Sequence, residues 1–519
     1  MKKFLGISIS LMILFSAHPA FPADESGIMP TQKLRSTPEK MLVQFTDGDV
    51  DSPQINGFIQ EPETSTTGAF RSGRYLAVLP TCVEVNPFPC IKSVSLKYQS
   101  EQVWEELKVS GSVPQTTVAN ISTSLSGKSV VNYSSTWEGE IPRLIPKSGE
   151  AQIYSSINHL HSGGDQYVLK ARIDGLSGSF KPNLFAPQSL AITVLPIKGK
   201  VSTSSGLLVS SSYQFPENLE AKVEIYLGNF YQALSGWFFG RTTNTVINMN
   251  SIDKTLTISA GPANVPVHSG FIQFPLPTDL QGFFSQSFLE SFKESQSNFR
   301  YLVAQPNTLL NWKKLETYLS PSSDFERTVW NINSTTNIVN TSATNTYKRC
   351  IASGSGFAGL VSSNAAVFSQ EAPIWDSKQS TLSYQVASPS LSSKGTKNLG
   401  SYQIALREDV AKCLWGLDLG NAKIEISVTG DKPGDKQIAI TSFKKQGEWI
   451  YFSASGFHYS APTIMVSLKP QEKIVKDMLT EETLKVPASK KTLICFKGKI
   501  SKKIIGVNPK CPSGYKKKA

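Results

Sequence analysis

Between Lys412 and Lys469 apolar and polar side chains alternate in four short runs. Ile424, Ile426 and Val428 share one side, with Glu425 and Ser427 on the other, and Ile438 and Ile440 repeat the period. Ile450, Phe452 and Ala454 oppose Trp449 and Tyr451, and Ile464, Val466 and Leu468 close the set. The runs are broken at Gly430-Asp431, Pro433-Gly434 and Gln446-Gly447. A period of two interrupted by turn residues predicts antiparallel strands joined by short connections. Strands of this kind leave an apolar face that a second sheet has to cover. The expected architecture is therefore mostly β, multidomain and β-sandwich-like.

The same pattern recurs upstream. Strand-like runs cover Tyr75 to Leu79, Ile91 to Tyr98, Val103 to Val109, Tyr167 to Ile173 and Leu190 to Leu195. A second β-rich stretch has Trp237-Phe238-Phe239-Gly240-Arg241 at its centre. The period then changes. Phe284, Phe288, Leu289 and Phe292 recur at helical spacing, as do Leu309, Trp312, Leu315 and Leu319. Thr278-Asp279 reads as an N-cap and Pro321 as a stop, which predicts a small helical insert. The chain divides into a signal segment (1–23), a leader (24–40), an N-terminal β domain (41–200), a second β-rich segment (201–277), the helical insert (278–335), a C-terminal β-sandwich domain (336–470), a linker (471–491) and a tail (492–519).

Lys2 and Lys3 followed by the apolar stretch Phe4 to Phe15 form a secretory signal, with cleavage points after Ala20 or Ala23. No later apolar run is long enough to span a bilayer as a helix. The expected location is secreted, extracellular or envelope-associated. Export makes disulfides the natural state of the six cysteines. Six cysteines allow 15 pairings. Adjacent pairing, Cys82–Cys90, Cys350–Cys413 and Cys495–Cys511, keeps each bridge inside one predicted unit and is the expected set.

The formal net charge is +12 over 519 residues. Eleven lysines between Lys485 and Lys518, with no acid after Glu482, and the two at the N-terminus carry all of it. The body is close to neutral and the tail strongly basic.

Candidate chemistry is sparse. Asp47, Asp49 and Asp51 have the 1-3-5 carboxylate spacing of a calcium loop, but Ser52 stands where a glycine is wanted and no Glu follows at position twelve. Calcium is the one cofactor this pattern raises, and a solvated acidic turn is the plainer reading. His159-Leu160-His161 puts two imidazoles on one face of a strand without a third ligand, which reads as a surface hairpin. No GxSxG, HExxH or P-loop occurs. The tryptophans Trp104, Trp137, Trp237, Trp330, Trp375, Trp415 and Trp449 sit mostly in apolar alternations, as core residues do.

The segments Ala411-Lys412-Cys413-Leu414-Trp415-Gly416, Trp449 to Phe457 and Ser460-Ala461-Pro462-Thr463-Ile464 resemble a recurrent C-terminal domain of exported actinobacterial proteins. The tail, Leu493-Ile494-Cys495-Phe496-Lys497-Gly498-Lys499 through Pro509-Lys510-Cys511-Pro512-Ser513-Gly514-Tyr515-Lys516-Lys517-Lys518, resembles a basic two-cysteine module that ends many surface proteins there. Gly236 to Arg241 and Cys90 to Val94 fit the same long family. The resemblance implies location and architecture, and it carries no catalytic residue.

Lys497, Lys499, Lys502, Lys503, Lys510, Lys516, Lys517 and Lys518 are the candidate polyanion-binding residues. Their expected partners are anionic cell-envelope polymers or glycans. With aromatics limited to Phe496 and Tyr515, nucleic acid is not an expected partner. The expected function is a non-enzymatic structural or adhesive envelope protein retained by its tail. A secreted carbohydrate-active or carbohydrate-binding protein is the alternative, and two facing carboxylates in a groove with exposed aromatics would mark it. Oligomeric state is not legible.

Overall fold

The computed structural model describes residues 28–30, 33–47, 55–64, 70–83, 87–114, 118–119, 132–133, 135–199, 203–204, 207–208, 212–303, 307–336, 349–351, 356–369, 371–416, 422–429, 436–437, 439–459, 463–470, 491–506 and 508–517. It is 56% strand and 10% helix, which makes the fold mostly β. Met1–Lys469 forms one compact unit and Pro470–Ala519 a second.

The principal strands of the first unit are β1 (Lys40–Thr46), β2 (Arg74–Val78), β3 (Cys90–Tyr98), β4 (Gln166–Gly178), β5 (Lys181–Ile197), β6 (Leu219–Tyr226), β7 (Gly236–Asn250) and β8 (Thr255–Gln273). Helices α1 (Gln286–Ser295) and α2 (Thr308–Leu315) follow. Then come β9 (Phe325–Thr335), β10 (Phe357–Ser363), β11 (Thr381–Ala387), β12 (Leu399–Arg407), α3 (Glu408–Trp415), β13 (Ile440–Gln446), β14 (Trp449–His458) and β15 (Thr463–Pro470).

Pairing runs β2-β4-β5-β9-β7-β10-β12-β14-β13. All of these contacts are antiparallel except β7 with β10. β8 also pairs with β7, β9, β6 and β1, and β6 with β3. Strands thus cross the boundaries expected near 200, 277 and 335. The reason is visible in Trp237-Phe238-Phe239. A run with no polar member has no side to leave to solvent, so it needs neighbours on both edges and cover on both faces. Gly236 opens that strand at φ +117, and a Cβ there would lie 2.0 Å from the Thr335 carbonyl oxygen. Only glycine fits.

Successive residues of a strand face opposite ways, and here each face meets its own core. Trp237, Phe239, Val361, Ile404, Ile450 and Phe452 enter one. Phe238, Phe357, Leu360, Ala405, Trp449 and Tyr451 enter the other. The first core is closed by α1, α2 and a smaller sheet built from β11, β15 and short strands at Val367–Phe368, Ile374–Asp376, Ala422–Thr429 and Lys436–Gln437. The second is closed by β2 to β6 and β8. Ile440 stands outside both, at 76% exposure, because β13 is an outer strand.

The helical insert is shorter than expected. Its first helix is capped by Ser285, whose hydroxyl accepts from the Phe288 N–H at 3.2 Å. Thr278-Asp279 instead opens a 3-10 turn, and Phe325 already begins a strand. Three disulfides join Cys82–Cys90, Cys350–Cys413 and Cys495–Cys511, the adjacent pairing. Among the described residues no helix is long and apolar enough to cross a membrane.

Candidate functional site

The second unit carries the basic residues. It is a three-stranded antiparallel sheet in the order β17 (Ile500–Gly506), β16 (Lys491–Lys497) and β18 (Lys516–Lys517). Lys497 pairs with Ile500, so the hairpin turns on Gly498-Lys499, with Gly498 at φ +62. Gly at the first central position is what so tight a hairpin asks for. Cys495 is fully buried and is bridged to Cys511.

Register distributes the lysines. Cys495 lies opposite Lys502 on one side and Lys517 on the other. These three share a face, with the two lysines two strands apart, roughly 10 Å. On the reverse face Phe496 lies between Ser501 and Lys516, and Ile494 opposite Lys503. Lys499 sits in the turn and Lys510 beside the staple. Lys497, Lys499, Lys502, Lys503, Lys510, Lys516 and Lys517 are all exposed. Lys518 lies outside the described residues. Leu493, Phe496 and Ile504 are only half-buried. So thin a core does not hold a sheet of like charges by burial, and the disulfide supplies the missing constraint.

The other sequence candidates are spent on structure. The Asp47 carboxylate takes the Arg241 Nε at 3.1 Å. Arg241 is 1% exposed, donates to the carbonyls of Ala365 and Ala366, and lies 4.4 Å from the Phe368 ring centre. Burial draws its pKa down and Asp47 opposes that shift. A cavity of about 20 Å³ lies alongside. Asp49 and Asp51 lie outside the described residues, and among those described no group of three His, Cys, Asp or Glu is arranged for a metal. His159 and His161 are buried, at 3% and 5% exposure, where a surface hairpin was expected. The ring of His161 is fixed by the Gln166 carbonyl and the Gly163 N–H, and His159 lies between Glu101 and Glu105.

An open groove of about 910 Å³ is walled by the end of β7, the start of α3 and the β13–β14 turn. Two of its three acids, Glu408 and Asp409, are ion-paired. Glu408 meets Lys445 at 2.9 Å and Lys412 at 3.1 Å, and these hydrogen bonds, Lys445 first, draw its pKa down. Asp409 is held in a fork by Arg407, at 2.6 and 2.9 Å. A glycosidase acid needs the opposite shift, upward. The lining aromatics, Tyr231 and Trp449, are 8% and 3% exposed and offer no open stacking face.

No protein family, curated protein or solved structure matches the chain. The functional argument rests on its own residues. Two constellations escaped sequence reasoning, Asp47 with Arg241 and Glu101 with His159 and Glu105. Their members lie 194, 58 and 54 residues apart, so no local signal marks them.

Proposed function

We propose that this is an exported, non-enzymatic envelope protein, structural or adhesive, of the actinobacterial kind it resembles. Its C-terminal sheet retains it on anionic cell-envelope polymers or glycans. The observation that carries the reading is the stapled display of seven exposed lysines on a unit of its own. A dense cationic surface attracts polyanions, and a folded one presents its charges without ordering them anew on binding. Three disulfides suit an oxidising compartment. The ion-paired acids of the groove weigh against sugar cleavage.

The test is extraction from cell envelopes. Salt near 1 M, where charges are screened over about 3 Å, is expected to release the full chain. Deleting 492–519 is expected to move the protein to the medium with the body still folded. A deletion variant held as firmly as the full chain would overturn the reading.

A further inference from the structure

The two faces of the tail sheet are unequal. Cys495 points to one of them, and its bridge to Cys511 brings the returning chain over that face. A Cβ on Gly514 would lie 3.5 Å from the Lys497 Nζ there. Leu493 and Ile504, opposite one another on the same face, are half-buried. Alternation puts Ile494, Phe496, Ser501, Lys503, Ile505 and Lys516 on the reverse face. That face stays open. Ile494 is 47% exposed and Ile505 60%.

Ile494 lies opposite Lys503 and Thr492 opposite Ile505, so the two isoleucines are diagonal neighbours, about 7–8 Å apart. The half-buried Phe496 extends the apolar strip along β16. Lys503 on β17 and Lys516 on β18 flank it on the two outer strands. No Asp or Glu occurs between Lys491 and Lys517. One exposed isoleucine would mean little. Here two adjoin a phenylalanine between lysines. A dissolved polyanion matches the lysines and offers nothing to the isoleucines. An anionic bilayer offers both phosphates at the headgroup level and hydrocarbon just beneath them. Lysine stems lie along such a strip while their ammonium groups stay with the headgroups.

We propose that the reverse face of the tail sheet is a membrane-docking surface whose occupant is an anionic phospholipid bilayer. Ile494 and Ile505 enter the boundary between headgroups and acyl chains, and Lys503 and Lys516 meet phosphates on either side. The proposal rests on retention by the tail and narrows the polyanion to lipid. Strand pairing and the bridge already fix the face, so it docks without refolding.

Sedimentation of the full chain with vesicles of phosphatidylcholine and phosphatidylglycerol in equal parts tests this. The chain lacking 492–519 serves as the blank, and binding to polyphosphate in solution is measured in parallel. Ile494→Thr with Ile505→Thr keeps two strand-favouring residues at exposed positions. It is expected to weaken vesicle binding roughly tenfold or more and to leave polyphosphate binding unchanged. Ile500→Thr, at a residue 64% exposed on the cysteine face, is expected to change neither. Lys503→Ala with Lys516→Ala should lower vesicle affinity more than Lys502→Ala with Lys517→Ala, which removes the same charge from the other face. Vesicle affinity that survives the isoleucine pair, or that falls equally with Ile500→Thr, overturns the proposal. So do two lysine pairs of equal effect, or a chain that binds polyphosphate and no vesicles. Each of these results leaves retention by a basic tail standing. Retention itself falls if the chain lacking 492–519 stays on envelopes.

Discussion

Trp449-Ile450-Tyr451-Phe452 in β14 and Leu493-Ile494-Cys495-Phe496 in β16 read alike as apolar four-residue runs. In β14 all four are 3% exposed or less, each pair of neighbours divided between two cores. In β16 only Cys495 is buried, and Ile494 is 47% exposed. The first run is held by layers that close over it from distant parts of the chain. Among the described residues of its own unit the second has no such layers, and a covalent bridge stands in for them. Apolar content thus fixes neither burial nor stability, and what covers each face does.

The sharpest way to break this contrast is to empty one core. Trp237→Ala, at a side chain with no exposed surface, is expected to cost the body roughly 3–5 kcal/mol in urea unfolding while leaving the tail sheet protected from exchange. Acid probes the same interior. His268, 1% exposed, and His161 have pKa values drawn down to about 4 by burial, against an ordinary 6.5. Above pH 6.5 neither folded nor unfolded chain binds the protons. As pH falls from 6.5 to 4 the unfolded chain takes protons that the folded chain refuses. Stability is then expected to drop by about 3 kcal/mol for each ring, read as a falling urea midpoint. His268→Gln should remove its share of that slope.

The staple tests the other side. Replacing Cys495 and Cys511 by Ala removes a closure over a separation of 16 residues and is expected to cost the tail about 3 kcal/mol. Proteolysis within 491–517 should then rise while the body melts unchanged. A body that melts earlier would show the two units energetically linked. Smallest of all, Lys502→Ala with Lys517→Ala is expected to change stability by less than about 0.5 kcal/mol. The same pair should lower the salt needed to strip the protein from envelopes.

Much of this was legible in the residues. Period-two alternation located β3, β4, β5 and β14. Cysteine adjacency matched the bridges, two of which close over separations of only 8 and 16 residues. Layering was not legible, since alternation shows that a strand has two faces and not what lies beyond either. The N-cap was misplaced because Thr278 and Ser285 both precede helical spacing, and only the Phe288 N–H chooses between them. Asp47 looked like part of an acidic turn because its guanidinium partner, Arg241, lies in a strand far along the chain.

The parallel contact between β7 and β10 has a consequence for timing. Trp237 to Gly240 meets Gly359 to Ser362, and β12 in turn waits for β14 at Trp449 to His458. The middle of the sheet therefore cannot close until nearly the whole body has been synthesised. Folds dominated by pairings so distant along the chain gain their rewarding contacts late and fold at the slow end of the scale, in milliseconds to seconds. The same topology that buries the central strands on both faces also keeps them apart until the last of them has been made.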